Sequence, residues 1–296
     1  MKIICLIFTL LIIIPAAGAD EFVMPKSLRM ALPLDGSVKI EWIAPPLAES
    51  QVKKANLQQQ RFHLDSHGAA WVCYNQKYLA DFSSGFSFSL KQSIRDFVFL
   101  TDNALFLLTD KSLGTVAPFS QDKLNNKEIP ELLFQPICGL PIIPVGLIAN
   151  DQDKLFIFGF DSQIREYAVY ELLSDFSSWR KIFVSSQRIL AAVADNDIVY
   201  IASGRMVFQV PLKADQAEKI VFSHPLEMIT ALTQIKGVGI FYATASGVGL
   251  VNGQGSLEFM KSQQPQIVAW QDQLYIFFPE SLGILRLTNP NRLTSK

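Results

Sequence analysis

A triplet of apolar, aromatic and apolar residues recurs six times along this chain: Ala70-Trp71-Val72, Leu105-Phe106-Leu107, Leu155-Phe156-Ile157, Val199-Tyr200-Ile201, Ile240-Phe241-Tyr242 and Leu274-Tyr275-Ile276. The aromatic positions lie 35, 50, 44, 41 and 34 residues apart. A short apolar run precedes the triplet, as in Ile189-Leu190-Ala191, Ile229-Thr230-Ala231 and Ile267-Val268-Ala269; Val145-Gly146-Leu147 and Ile94-Arg95-Asp96 fill the same slot in earlier copies. Turn formers separate the two features, among them Asp102-Asn103, Asn150 to Asp153 and Asp195 to Asp197. Such residues tolerate left-handed backbone and hydrogen-bond their own turns. One or two further short runs follow each triplet, so a unit reads as three or four strands in about forty residues.

That rhythm predicts an all-β fold, a β-propeller of six blades, with a short N-terminal segment, Ser37 to Ile43, closing the ring. In such a ring the first strand of each blade stands nearest the axis, where volume is limited, and Ala191, Ala231 and Ala269 suit that crowding. The triplet aromatics then lie further out and fill the gap between blades. A two-sheet sandwich is the competing architecture, and it predicts no fixed order of features. The expected organisation is a signal peptide over 1–19, an N-terminal extension over 20–61, the propeller over 62–290 and a tail over 291–296. The repeat over 62–287 resembles six-bladed propellers of the secreted, NHL-like kind. The resemblance implies a fold and leaves function open.

Lys2, the apolar run Ile3 to Pro15 and the small residues Ala17-Gly18-Ala19 have the order of a cleavable export signal. The run is shorter than the roughly twenty residues a membrane helix needs. A periplasmic or secreted protein with no membrane span after cleavage is therefore expected. Basic and acidic residues number 26 and 27, which leaves no basic stripe for a phosphate backbone and argues against nucleic acid. Cys73 and Cys138 survive cleavage. A disulfide between them, worth about 4 kcal/mol in the chain-entropy model, and two separate thiols both remain open.

Catalytic signals are sparse. His63 and His67 flank Asp65 at alternating positions, but strand residues four apart are separated by about 13 Å, too far for one ion without a turn. Some six-bladed propellers hydrolyse esters or lactones with a metal held by Glu, Asn and Asp at the axis; Asp96, the one carboxylate in an axial slot otherwise filled by small or apolar residues, is the best candidate for a channel group, with Asn150 and Asp195 as weaker metal ligands. Leu132 to Ala149 is uncharged and holds Pro136, Pro141 and Pro144. It reads as an inserted apolar loop, with Pro136, Ile137, Leu140, Pro141, Ile142 and Ile143 as a docking surface. Trp42, Trp179 and Trp270 are possible sugar platforms. The leading expectation is a non-enzymatic binding or scaffolding propeller without a cofactor, whose partner is an envelope protein or polymer. The alternative is a hydrolase or lyase using a divalent metal in the central channel.

Overall fold

Each repeat unit folds as a meander because a strand pair leaves one apolar face that only a neighbouring sheet can cover. The computed structural model describes residues 29–30, 38–43, 60–82, 84–116, 129–213, 216–253, 255–281 and 283–293. The proposed signal peptide, 1–19, lies outside them. Two short N-terminal strands come first, β1 (Arg29–Met30) and β2 (Lys39–Ile43). Blade 1 comprises β3 (Arg61–Leu64), β4 (Ala70–Tyr74), β5 (Tyr78–Asp81) and β6 (Ser87–Leu90). Blade 2 comprises β7 (Ile94–Phe99), β8 (Leu105–Thr109), β9 (Ser112–Val116) and, after the two-residue strand β10 (Glu131–Leu132), β11 (Phe134–Gly139). Blade 3 runs through β12 (Ile143–Ala149), β13 (Leu155–Asp161), β14 (Glu166–Leu172) and β15 (Trp179–Ser185). Blade 4 runs through β16 (Ile189–Asp195), β17 (Ile198–Ser203), β18 (Met206–Pro211) and β19 (Lys219–Ser223). Blade 5 has β20 (Ala231–Ile235), β21 (Gly239–Ala243), β22 (Gly247–Asn252) and β23 (Gly255–Lys261), and blade 6 has β24 (Gln266–Trp270), β25 (Gln273–Phe278) and β26 (Gly283–Thr288).

The first strands of the blades touch in the cyclic order β3, β7, β12, β16, β20, β24 and back to β3. This closed ring is the six-bladed propeller and excludes two facing layers. Six hydrophobic clusters fill the six joints between blades, one per joint. Phe97 lies between blades 1 and 2, Phe156 between 3 and 4, Phe241 between 5 and 6 and Phe277 between 6 and 1, and all four are fully buried. Burying such a side chain stabilises by roughly 2–3 kcal/mol. Turn residues link blades on the far face: Thr101 N and Oγ1 donate to Asp153 at 2.8 and 2.6 Å, and Ser66 N donates to Asn103 Oδ1 at 3.2 Å.

Blade 6 takes its outer strand from the other end of the chain. β2 pairs antiparallel with β26, from Lys39 opposite Thr288 to Ile43 opposite Ile284, and the Trp42 ring stacks on Phe278 at 5.6 Å. Hydrogen bonding between distant ends closes the ring and covers an edge. β1 extends blade 5 beyond β23, and β10 pairs parallel with β6 of blade 1.

The proline-rich stretch is not an inserted loop, a correction to the sequence reading. Pro136 and Ile137 lie in β11, the outermost strand of blade 2, and Ile143 and Pro144 lie in β12, the innermost strand of blade 3; Leu140, Pro141 and Ile142 are the connection. Both strands are sheet edges, where a missing N–H costs no ladder bond, and both carry a bulge beside the proline. The long interval between Phe106 and Phe156 instead accommodates the excursion of β10 to blade 1.

Candidate functional site

The innermost strands have no partner on their axial side, so their backbone groups face a central channel of about 560 Å³. Ala191, Ala231 and Ala269 line it as the sequence requires. At one end, where the inner strands begin, Arg61, Arg188, Thr230, Gln264 and Gln266 surround the opening, together with Ala245 and Pro279 from blade turns. At the other end, past the strand termini, the wall carries Asp151, Asp195 and Lys236.

Asp96 sits near the first of these ends and joins three blades. A bulge between Ile94 and Asp96 in the pairing of β7 with β8 shifts the register where Asp96 stands, the kind of irregularity that re-aims a side chain. Oδ1 accepts from Phe97 N at 2.9 Å and lies 3.0 Å from His63 Nε2; Oδ2 accepts from Leu147 N of blade 3 at 2.9 Å. Arg61 Nε is 3.9 Å from Oδ1, and its other nitrogens donate to the carbonyls of Gln60 and Val145. The Asp96 side chain is 7% exposed, His63 21% and Arg61 34%. His63 rests edge-on against Phe97, ring centres 4.9 Å apart. Its Nδ1 makes no hydrogen bond to a described residue. Thr233 plays a related part in blade 5, accepting from Ala269 N of blade 6 at 2.9 Å.

These residues do not fit a divalent ion of the kind the sequence suggested. Both Asp96 oxygens are engaged by N–H donors, and a guanidinium stands where a cation would approach. Asn150 and Asp195 lie at the opposite ends of β12 and β16; Asn150 follows Leu147 by three residues, a rise of roughly 10 Å. Asn150 Oδ1 accepts from Gln152 N and Lys154 N, and Asp195 Oδ1 accepts from Asn196 N. Among the described residues no group of three His, Cys, Asp or Glu is placed to hold a metal. His67 is exposed beside Ser66, and His224 Nδ1 accepts from Glu227 N at 2.9 Å in the connection between blades 4 and 5.

The remaining candidates are spread elsewhere. Cys73 and Cys138 carry free thiols in different joints, 1–2 and 2–3. Burial, followed by the negative charge of Asp96, pushes the Cys73 thiol far up, and burial raises Cys138, so neither is a ready nucleophile. Trp42 packs in joint 5–6, Trp270 in joint 6–1 against Gly68, and Trp179 Nε1 donates to Gly139 O at 2.9 Å. The sequence reading missed Arg61 and the pairing of His63 with Asp96. The signal was available: Arg61 and His63 alternate on one face of a first strand, toward the slot in the next blade that holds a carboxylate.

No protein-family model matches the chain, and no curated protein matches it either. Solved structures do superimpose on it. A gluconolactonase from Xanthomonas campestris aligns with a TM-score of 0.61 at 9% identity, over 92% of this chain and 98% of the other. A luciferin-regenerating enzyme aligns at 0.60 and 12% identity over 77% and 90%, and a calcium-binding protein, regucalcin, from Agrobacterium tumefaciens at 0.57 and 13% over 76% and 88%. The expectation of a non-enzymatic scaffolding propeller is corrected, because the apolar loop on which it rested is a pair of edge strands; two of the similar propellers carry catalytic names. At such low identity the likeness establishes a common architecture, and the chain is a six-bladed β-propeller similar in fold to gluconolactonases and regucalcin.

Proposed function

We propose that the chain is a hydrolase or lyase working in its central channel, with His63 transferring the proton and Asp96 positioning the ring. The observation that carries this reading is the 3.0 Å link between His63 Nε2 and Asp96 Oδ1 at the wall of the channel. When Nε2–H donates to the carboxylate, the lone pair sits on Nδ1, the nitrogen without a hydrogen-bond partner among the described residues. In hydrolysis Nδ1 takes a proton from water as the water oxygen bonds to the acyl carbon. The bond from that carbon to the leaving oxygen then breaks, and the proton passes to that oxygen. In elimination the same nitrogen takes its proton from carbon, the released electron pair forms a carbon–carbon double bond as the bond from the adjacent carbon to the leaving oxygen breaks, and the proton passes to that oxygen. Arg61 supplies positive charge beside the pair for a developing oxyanion. The catalytic names of the similar propellers support the reaction class.

The test is turnover of a panel of lactones, aryl esters and uronides by the wild type and by His63→Gln, whose amide retains a donor for Asp96. The substitution is expected to lower kcat by about a hundredfold or more with the unfolding temperature unchanged. Wild-type turnover in His63→Gln defeats the reading. Export belongs to the same proposal, supported by Lys2, the apolar run and Ala17-Gly18-Ala19. N-terminal sequencing of the periplasmic or secreted protein is expected to begin at Asp20; an intact Met1 on cytoplasmic protein counts against export.

A further inference from the structure

We propose that the end of the channel where the inner strands begin is a binding site for small hydroxylated carboxylates, held between Arg61 and Arg188. This deepens the reading above and rests on it for the chemistry that follows binding. The two arginines belong to blades 1 and 4, which face each other across a ring of six. Both precede or open the inner strand of their blade, so both stand at the same end of the channel, and both line it.

Charge is separated along the axis. The end at the strand starts carries Arg61 and Arg188, while Asp151 and Asp195 stand at the other end, with Lys236. Asp96 stands 3.9 Å from Arg61 Nε and offsets part of that charge, so the uncompensated positive charge at this end is carried mainly by Arg188. Both terminal nitrogens of Arg61 donate to carbonyls, of Gln60 and Val145, which fixes the guanidinium at the channel wall and leaves the side chain 34% exposed. Arg188 is exposed, and its guanidinium makes no hydrogen bond or ion pair with another described residue. A planar guanidinium with free donors matches a carboxylate, a pairing stronger than neutral hydrogen bonds.

The remaining polar groups at this end suit hydroxyls. Gln264 and Gln266 line it from the start of blade 6. Gln266 Nε2 donates to Gln60 O at 2.8 Å, which directs its amide across the 6–1 joint beside Arg61. Gln264 adopts a left-handed backbone at φ 44°, a conformation a non-glycine residue holds only where its surroundings impose it. The volume of about 560 Å³ admits a molecule of a few carbons with room for water.

Isothermal titration of the full chain with tartrate and with its neutral isostere tartramide tests the site. Wild type is expected to bind tartrate about tenfold more tightly than tartramide, as one charge-assisted pair requires, and to lose that preference as salt rises. Arg188→Gln removes a side chain with no described partner, so the fold is kept; tartrate affinity is expected to fall about tenfold with tartramide unchanged. Equal binding of the two ligands by wild type, or an unchanged tartrate affinity in Arg188→Gln, overturns the site. His63→Gln separates this proposal from the preceding one. It is expected to bind tartrate within about twofold of wild type while losing turnover. Retained turnover in His63→Gln removes the proton-transfer reading and leaves the anion site standing, whereas wild-type affinity in Arg188→Gln does the reverse.

Discussion

Asp96 shows how one buried carboxylate is kept in an apolar ring. An inner strand is a sheet edge, and its free N–H groups are costly unless a neighbour accepts from them. Asp96 accepts from Leu147 N across the joint between blades 2 and 3 and from His63 across the joint between 1 and 2. Asp96→Ala therefore leaves buried donors without acceptors and is expected to destabilise by about 3 kcal/mol, measured by urea unfolding. If Asp96 served mainly as a metal ligand, elemental analysis would find stoichiometric calcium lost in that variant; no such metal, and no effect of a chelator on the unfolding temperature, is expected. Two other carboxyls contribute to the acid limb of stability. Hydrogen bonds from the Thr244 and Ser246 side chains hold Glu227 below the usual carboxylate range, and the Tyr170 hydroxyl, followed by Lys181 and backbone N–H groups, does the same for Asp161. Because the folded values lie below the unfolded ones, their contribution is complete above about pH 4.3 and is lost as pH falls through the lowered values. Glu227→Gln with Asp161→Asn is expected to destabilise at pH 7 and to differ less from wild type at pH 3 in urea unfolding.

At the scale of elements, the junction between β2 and β26 depends on a close approach. A Cβ at Gly283 would run into the Trp42 ring, so Gly283→Val is expected to displace β2 and expose the edge of β26. Protease digestion followed by mass spectrometry is expected to cut between 38 and 60 faster in the variant than in wild type, and equal rates would argue that the junction tolerates the extra volume. The same logic explains the prolines. Pro136 and Pro144 occupy the outermost and innermost strands of adjacent blades, the two places in a blade where one side of the backbone is unpaired.

For the whole molecule, closure by hydrogen bonding means that the order of the chain around the ring is not fixed. β2 runs antiparallel to β26 with Lys39 opposite Thr288, which is the register of a hairpin. A circular permutant that begins at Gln60 and joins Leu293 to Val38 through a short Gly-Ser linker is expected to unfold within a few degrees of wild type, while deleting residues 1–43 outright is expected to lower the midpoint by roughly 4–8 °C or more. Calorimetry of the three proteins decides it. A permutant as unstable as the deletion would mean that closure needs more than the β2–β26 ladder.

Six ordered copies of a triplet and its preceding strand were legible in the sequence because packing between blades demands an aromatic at one depth and a small residue at another. Phe106, Phe156 and Phe241 and Ala191, Ala231 and Ala269 obey that demand within each unit, so local pattern was enough to name the fold. Asp96 was legible for the same reason, as a carboxylate in a slot otherwise filled by apolar residues. Its partners were not. His63 and Leu147 lie 33 and 51 residues away, and which side chains meet across a joint depends on the angle at which closed sheets present their edges, a property of the ring rather than of any repeat. The opposition of Arg61 and Arg188 likewise exists only because six blades place the first and fourth on opposite sides of one axis.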